Sequence, residues 1–225
     1  MNKHPPSHQN RKASEILGEK LHFDSVGYLF RAVSWLDYFD RTHQYTALLY
    51  ACVEGRMGIE YLLFEELVIS TGARLRRQDY ERCVRERGKF TKMIRQLSPE
   101  HEKLQEFTRI VVEISPGAPR VVYWRLKDLE KARGKLSEYL HWKGSRIETA
   151  EDLSWLSMMH NNLKDLLIPI WEKMSSGRSG LLHPGDMTPN ARAVWEEFKN
   201  GTIDAERANI RLQLTRPGPP LFHVL

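Results

Sequence analysis

The chain has 225 residues, 41% hydrophobic and 28% charged, with a net charge of +5 and two cysteines. That composition can fill a core, which excludes wholesale disorder, and no apolar run reaches the roughly eighteen residues a membrane span needs. Cys52 and Cys83 fall inside predicted helices, so neither a disulfide framework nor a cysteine zinc site is expected. With no apolar leader in MNKHPPSHQNRKAS, the sequence predicts a cytoplasmic protein.

Residues 1–14 are polar, carry two prolines, and read as a flexible tail. From Ser25 to Asp40 apolar residues recur at helical spacing, as Val26, Leu29, Phe30, Val33, Leu36 and Phe39. A long second helix is predicted from Gln44 to Ser70, with Tyr45, Leu48, Cys52, Ile59, Leu62 or Leu63, and Leu67 as its buried stripe. Ala51, Gly55 and Gly58 add a small-residue ridge, and Thr71-Gly72 ends the helix. A basic helix follows over about 76–97, burying Tyr80, Val84, Phe90, Ile94 and Leu97. Ser98-Pro99 reads as the cap and first turn of the next.

The period then changes. Arg109–Ile114 and Arg120–Arg125 are rich in β-branched and aromatic residues and flank Ser115-Pro-Gly-Ala-Pro119, so a β-hairpin is expected over about 109–125. Helix resumes from Leu126 to Trp142, and Thr149-x-x-Asp152 reads as a capping box. The following helix carries a regular seam of Leu153, Leu156, His160, Leu163, Leu167, Ile170 and Met174, with a kink expected at Pro169. Thr188-Pro189 starts a helix to about Lys199, helix is expected again over Ile203–Leu214, and Pro217-Gly-Pro-Pro220 marks an extended tail. The sequence therefore predicts a mainly α fold: one helical domain over 15–214 with one inserted hairpin, between a tail at 1–14 and a Pro-rich tail at 215–225.

Charge is concentrated. Between Arg74 and Arg95 nine basic residues stand against three acidic ones (Asp79, Glu81, Glu86), so the remainder of this +5 chain carries −1. Arg82, Arg85, Lys89 and Lys92 step by three, four and three. On one continuous helix they would share a face able to track a nucleic-acid backbone. Asp37, Asp40 and His43, spaced by three, are a possible metal cluster, but two aspartates at a helix C-terminus oppose its dipole, and no metal is assigned. His160 reads as a partly buried histidine bonded to a neighbour. Phosphate loops, dinucleotide fingerprints, Gly-x-Ser-x-Gly and His-Glu-x-x-His are absent, and no cofactor is expected.

One stretch, GRSGLLHPG at 177–185, brings arginine, histidine and glycine together. Its glycines and Pro184 mark a helix break. Its Arg178-Ser179-x3-His183 pattern pairs a permanent cation with a side chain that titrates near neutral pH. In that pattern, and in its helical make-up, the chain resembles the HEPN domains, small helical bundles of prokaryotic defence and toxin systems. The resemblance implies a homodimer with a composite, metal-independent ribonuclease site. There Arg178 would hold phosphate, His183 would act on the attacking hydroxyl, and Ser179 would position them. The alternative is a non-catalytic helical interaction or dimerisation module whose basic helix contacts an anionic partner. Both readings make the chain a homo-oligomer, and both allow RNA or another polyanion as the partner.

Overall fold

The computed structural model describes residues 7–18, 24–86, 89–141 and 153–214. The expected capping box at Thr149–Asp152, the Pro-rich tail and the side chains of Val84 and Leu153 lie outside the described residues. In chain order the first helices are α1 (Ala13–Leu17), α2 (Ser25–Thr42), α3 (Tyr45–Ser70), α4 (Arg77–Arg85), α5 (Phe90–Leu97) and α6 (His101–Ile114). Strand β1 (Val121–Val122), α7 (Leu126–Leu140), α8 (Leu153–Ser175), β2 (Arg178–Ser179), α9 (Pro189–Lys199) and α10 (Ala205–Leu214) follow. The class is mainly α, as the sequence predicts. The chain divides into two compact units, Met1–Leu62 with Lys127–Lys173, and Leu63–Leu126 with Met174–Leu225.

In the first unit, Asp24 opens α2 by accepting the Gly27 N–H at 2.7 Å. Helix α2 then buries Leu29, Phe30, Val33, Leu36 and Phe39. The glycine ridge of α3 is used for close approach: a Cβ at Gly58 would lie 2.7 Å from Leu29 Cγ, and one at Gly55 2.8 Å from Leu167 Cδ2. The α8 seam is buried at Leu156, His160, Leu163, Leu167 and Met174, and the helix continues through Pro169 to Ser175. Of the N-terminal residues read as a tail, some are held on α2. The Asn10 N–H donates to Asp37 Oδ2 at 2.7 Å, and the Arg11 guanidinium lies 4.7 Å from the Phe30 ring centroid.

The second unit is built on α6, which packs against α9 and α10. The rings of Trp195 and Phe198 lie 5.3 and 5.8 Å from that of Phe107, at the centre of a cluster that includes Leu104, Val111, Leu181 and Leu182. Here the hairpin expectation fails. Residues 109–114 are the last turns of α6, because burial at Leu104, Phe107, Thr108 and Val111 carries the helical period through the β-branched run. Packing of that face overrides a modest β preference. The Pro116-Gly117 turn ends a helix instead of joining strands, with Gly117 at φ 80°. Val121 and Val122 pair in parallel with Arg178 and Ser179, 57 positions along the chain.

The basic helix is also two helices. Glu86 leaves helical backbone (φ −114°, ψ 44°) and α5 begins at Phe90. The sequence there, Arg87-Gly88, contains the residue that helices disfavour most after proline. Tyr80, expected to be buried, is 51% exposed. Helix α6 is capped at Glu100, two residues beyond the expected cap, with Pro99 in the turn that precedes it and the Ser98 carbonyl accepting the His101 N–H.

Two glycine substitutions should separate in sign. A Cβ at Gly177 would fall 2.5 Å from the Arg120 carbonyl oxygen, whereas one at Gly134 in α7 meets nothing within 4 Å. Gly177→Ala is expected to destabilise by about 1–3 kcal/mol and Gly134→Ala to stabilise by about 0.5–1 kcal/mol, both read from urea unfolding midpoints.

Candidate functional site

The stretch Gly177–Gly185 is anchored from both ends. Gly177 takes the backbone close to Arg120, and the Arg178 N–H donates to the Arg120 carbonyl at 3.0 Å. Leu181 and Leu182 are buried in the second unit's core, and the Leu182 N–H donates to Thr108 Oγ1 at 2.9 Å. That hydroxyl is fixed in turn by donating to the Leu104 carbonyl at 2.7 Å. His183 follows directly, its side chain capping a single 3-10 turn, Pro184–Asp186: the Gly185 N–H donates to His183 Nδ1 at 3.0 Å. Arg192 of α9 holds the same turn through two bonds to the Pro184 carbonyl, at 3.1 and 2.8 Å.

His183 faces Arg74 across a reciprocal glycine contact. Its ring lies on Gly72, where a Cβ would come within 2.7 Å of Cγ, while the Arg74 guanidinium lies on Gly185, where a Cβ would overlap it. Gly72 has a φ of 60°, so its bare Cα serves both the left-handed turn that ends α3 and the seat of the imidazole. Arg74 Nη2 stands 3.5 Å from Asp186 Oδ1, a long and exposed pair. Burial, and then the Arg74 charge, hold the His183 pKa below the ordinary histidine value, with Asp186 opposing. With Nδ1 accepting from Gly185, the neutral ring carries its proton on Nε2.

His183 and Arg74 line a cavity of about 370 Å³. It lies where the end of α3, the start of α4 and the α5–α6 junction converge, with Leu97, Leu104 and Trp195 as apolar wall and Arg76, Asp79 and Glu100 as charged wall. Arg178 and Ser179 are not part of that lining. Arg178 is exposed on β2, and Ser179 Oγ accepts the Trp124 indole N–H at 2.9 Å. The arginine beside His183 is thus Arg74, which lies 109 positions away in the chain and has no spacing signal to mark it. The Thr71-Gly72 helix stop was the only visible hint.

Behind the cavity wall lies a buried polar chain that sequence spacing does not reveal. Ser70 lines the cavity, and its hydroxyl contacts both the Glu66 carbonyl and His101 Nδ1, the latter at 2.8 Å. Gln105 Nε2 lies 3.1 Å from His101 Nε2 and 3.0 Å from the Trp124 carbonyl. Glu66 Oε2 is 3.7 Å from the same imidazole nitrogen. Serine, histidine and glutamate together have the make-up of a nucleophile, base and orienting acid. The bond directions assign them otherwise. The Trp124 carbonyl must accept from the Gln105 amide, whose second hydrogen then points at His101 Nε2. The His101 proton is therefore on Nδ1 and is donated to Ser70 Oγ, whose own hydrogen goes to the Glu66 carbonyl. In that arrangement the Ser70 hydrogen is taken by the Glu66 carbonyl and His101 Nδ1 does not receive it.

The basic residues are split by the helix break. Arg82 and Arg85 belong to α4, Lys89 precedes α5, and Lys92 lies on α5. Glu86 pairs with Arg82 at 3.7 Å and Lys89 at 3.1 Å, and Lys89 first, then Arg82 and Lys92, hold its carboxyl below the usual range. Arg85 and Lys92 are exposed, with no carboxylate within 4 Å among the described residues.

In the first unit, Asp37 and Asp40 each serve a cation. Asp37 pairs with Arg41 at 3.1 Å, and Asp40 with Lys164 at 3.3 Å and His160 Nε2 at 3.4 Å. His43 ends α2 in the left-handed conformation, its ring set edge-on to Phe39. His160 is 6% exposed with its ring 4.8 Å from Phe39, and burial lowers its pKa while Asp40 opposes. No helix among the described residues is long and apolar enough to cross a membrane. No protein-family model, curated protein or solved structure matches the chain.

Burial pushes the His101 pKa down from 6.5 to about 4. The unfolded chain therefore takes up this proton first as the pH drops. The His101 contribution to stability is complete above pH 6.5 and is lost as the pH falls from there to about 4. The expected loss is on the order of 3 kcal/mol, measured by urea unfolding between pH 7 and pH 4. His101→Phe should flatten that part of the profile while lowering stability at pH 7.

Proposed function

We propose that this chain is a helical binding module that contacts the phosphate backbone of RNA through the cationic surface of α4 and α5. The observation that carries this reading is the surplus charge around Glu86. One carboxylate serves Arg82 and Lys89, and Arg85 and Lys92 stand exposed with no carboxylate within 4 Å among the described residues. Exposed ion pairs of this kind are worth little and are screened by salt, so a polyanion can displace them at small cost. RNA is the polyanion class that the HEPN resemblance implies. The break between α4 and α5 does not weaken the reading, because phosphate contact needs clustered cations and not a single helical register.

The catalytic form of the reading places Arg178, Ser179 and His183 of two copies in one ribonuclease site. In the single chain, the Nε2 proton of His183 makes it a donor, so acting as a base at that nitrogen requires release of the Gly185 bond. Binding is therefore the better supported activity.

Fluorescence anisotropy with a labelled 12-nucleotide RNA tests the binding. Arg85→Glu with Lys89→Glu should weaken it by about tenfold or more at 50 mM salt and reduce the slope of log affinity against log salt by about 1–2. An unchanged slope would remove this surface as the contact. The same RNA incubated with the protein in EDTA should remain intact. Cleavage lost in both Arg178→Ala and His183→Ala would replace the binding-only reading with the ribonuclease one.

A further inference from the structure

We infer that the cavity between the start of α4 and the α5–α6 junction receives one nucleobase of the bound strand, with guanine preferred. This rests on the RNA reading above and adds to it a pocket that the cationic surface does not include. At about 370 Å³ the cavity is at the small end of small-molecule sites, which run from roughly 300 to 1,000 Å³. It adjoins the surface directly, since Arg76 and Asp79 in its wall belong to the first turn of α4 and the residue that caps it.

The charges of the lining select the occupant. Arg76 is already committed to Asp79 at 2.9 Å, Arg74 faces Asp186 at 3.5 Å, and Glu100 adds a further negative charge. Asp79 and Asp186 balance the two arginines and Glu100 leaves one negative charge over, so a phosphate gains nothing there, whereas it gains along α4 and α5. A flat, uncharged body with a polar edge suits the lining better. Leu97, partly exposed and backed by the buried Leu104 and Trp195, offers the apolar wall for its face. Asp79 and Glu100 offer acceptors, and the Arg74 guanidinium and His183 Nε2–H offer donors, for its edge. Among the bases, guanine presents N1–H and N2–H₂ side by side as donors, the pattern a carboxylate accepts. Arg74 and His183 are held in place for such an edge by their mutual seats on Gly185 and Gly72. The strand would then run with its phosphates on α4 and α5 and one base turned inward, a common way of reading single-stranded RNA.

The test uses the full chain and three 12-nucleotide RNAs: oligo(U), oligo(U) with one central guanine, and the same strand abasic at that position. The guanine strand should bind about 5- to 100-fold more tightly than the abasic one. Glu100→Gln, an exposed substitution, should reduce that ratio, and Ser98→Trp, which fills the cavity, should abolish it. Both variants should leave the salt slope unchanged. The Arg85→Glu/Lys89→Glu variant should weaken all three strands alike and keep the ratio. Equal affinity for guanine and abasic strands with a normal salt slope overturns the cavity assignment and leaves the RNA reading standing. If none of the strands binds, the RNA reading fails, and saturation-transfer NMR with guanosine alone decides the cavity. Transfer to guanosine that disappears in Ser98→Trp supports the assignment. No transfer, transfer undiminished in Ser98→Trp, or transfer to ribose 5-phosphate in place of guanosine overturns it.

Discussion

The second unit depends on Trp124. Its carbonyl and its indole N–H are the two ends of a polar connection that ties α6 to β2: the carbonyl accepts from Gln105, and the indole donates to Ser179. Through Gln105 the connection continues to His101 and Ser70, and so to the end of α3. Five residues drawn from four separate stretches of chain are locked into one set of bond directions. A buried polar network of this kind is costly if half satisfied and rigidifying if complete. Here His101 stays neutral because burial penalises its charged form, which keeps the whole set of directions intact at neutral pH. The two-residue sheet of β1 and β2 would be marginal by itself. It is held by the Trp124 indole on one side and by the tight passage of Gly177 past Arg120 on the other.

The position of His183 follows from that frame. Leu181 and Leu182 enter the core, Thr108 fixes the backbone between them, and His183 emerges onto Gly72. Glycine appears twice, at 72 and 185, because two flat side chains must each lie against a bare Cα. The site is therefore made by a contact between two turns, one ending α3 and the other following β2. Neither turn alone would place a guanidinium beside the imidazole.

Most of the helices were legible in the sequence, and the reasons they were legible also explain the errors. The α3 and α8 stripes are long, and their period is confirmed many times over, so Leu48, Ile59, Leu63 and Leu67, and Leu156, Leu163 and Leu167, are buried as read. The hairpin expectation fails because Ile110-Val-Val112 has strand-like composition, while the helical face formed by Leu104, Phe107, Thr108 and Val111 spans the boundary that composition suggests. The pairing of Val121–Val122 with Arg178–Ser179 is long-range and parallel, and no local pattern announces it. The same limit hid Arg74. Sequence spacing joined His183 to Arg178 because they are five residues apart, whereas the chain folds to give it an arginine from the far side of α4, α5 and α6.

What Arg74 and His183 can do chemically is set by a proton. The imidazole is lowered in pKa by burial and by the neighbouring guanidinium, so near neutral pH it is uncharged. Its Nδ1 lone pair is occupied by the Gly185 N–H, which forces the remaining proton onto Nε2. A histidine in that state donates a hydrogen bond and does not accept a proton at the same atom. To serve as a base toward a ribose hydroxyl it would have to give up the Gly185 bond, and with it one of the ties that hold the 3-10 turn under Arg74. Arg192 would still hold the Pro184 carbonyl, so the cost falls on the orientation of the imidazole more than on the fold. The geometry that fixes this pair as hydrogen-bond donors is the same geometry that opposes proton abstraction at His183 Nε2.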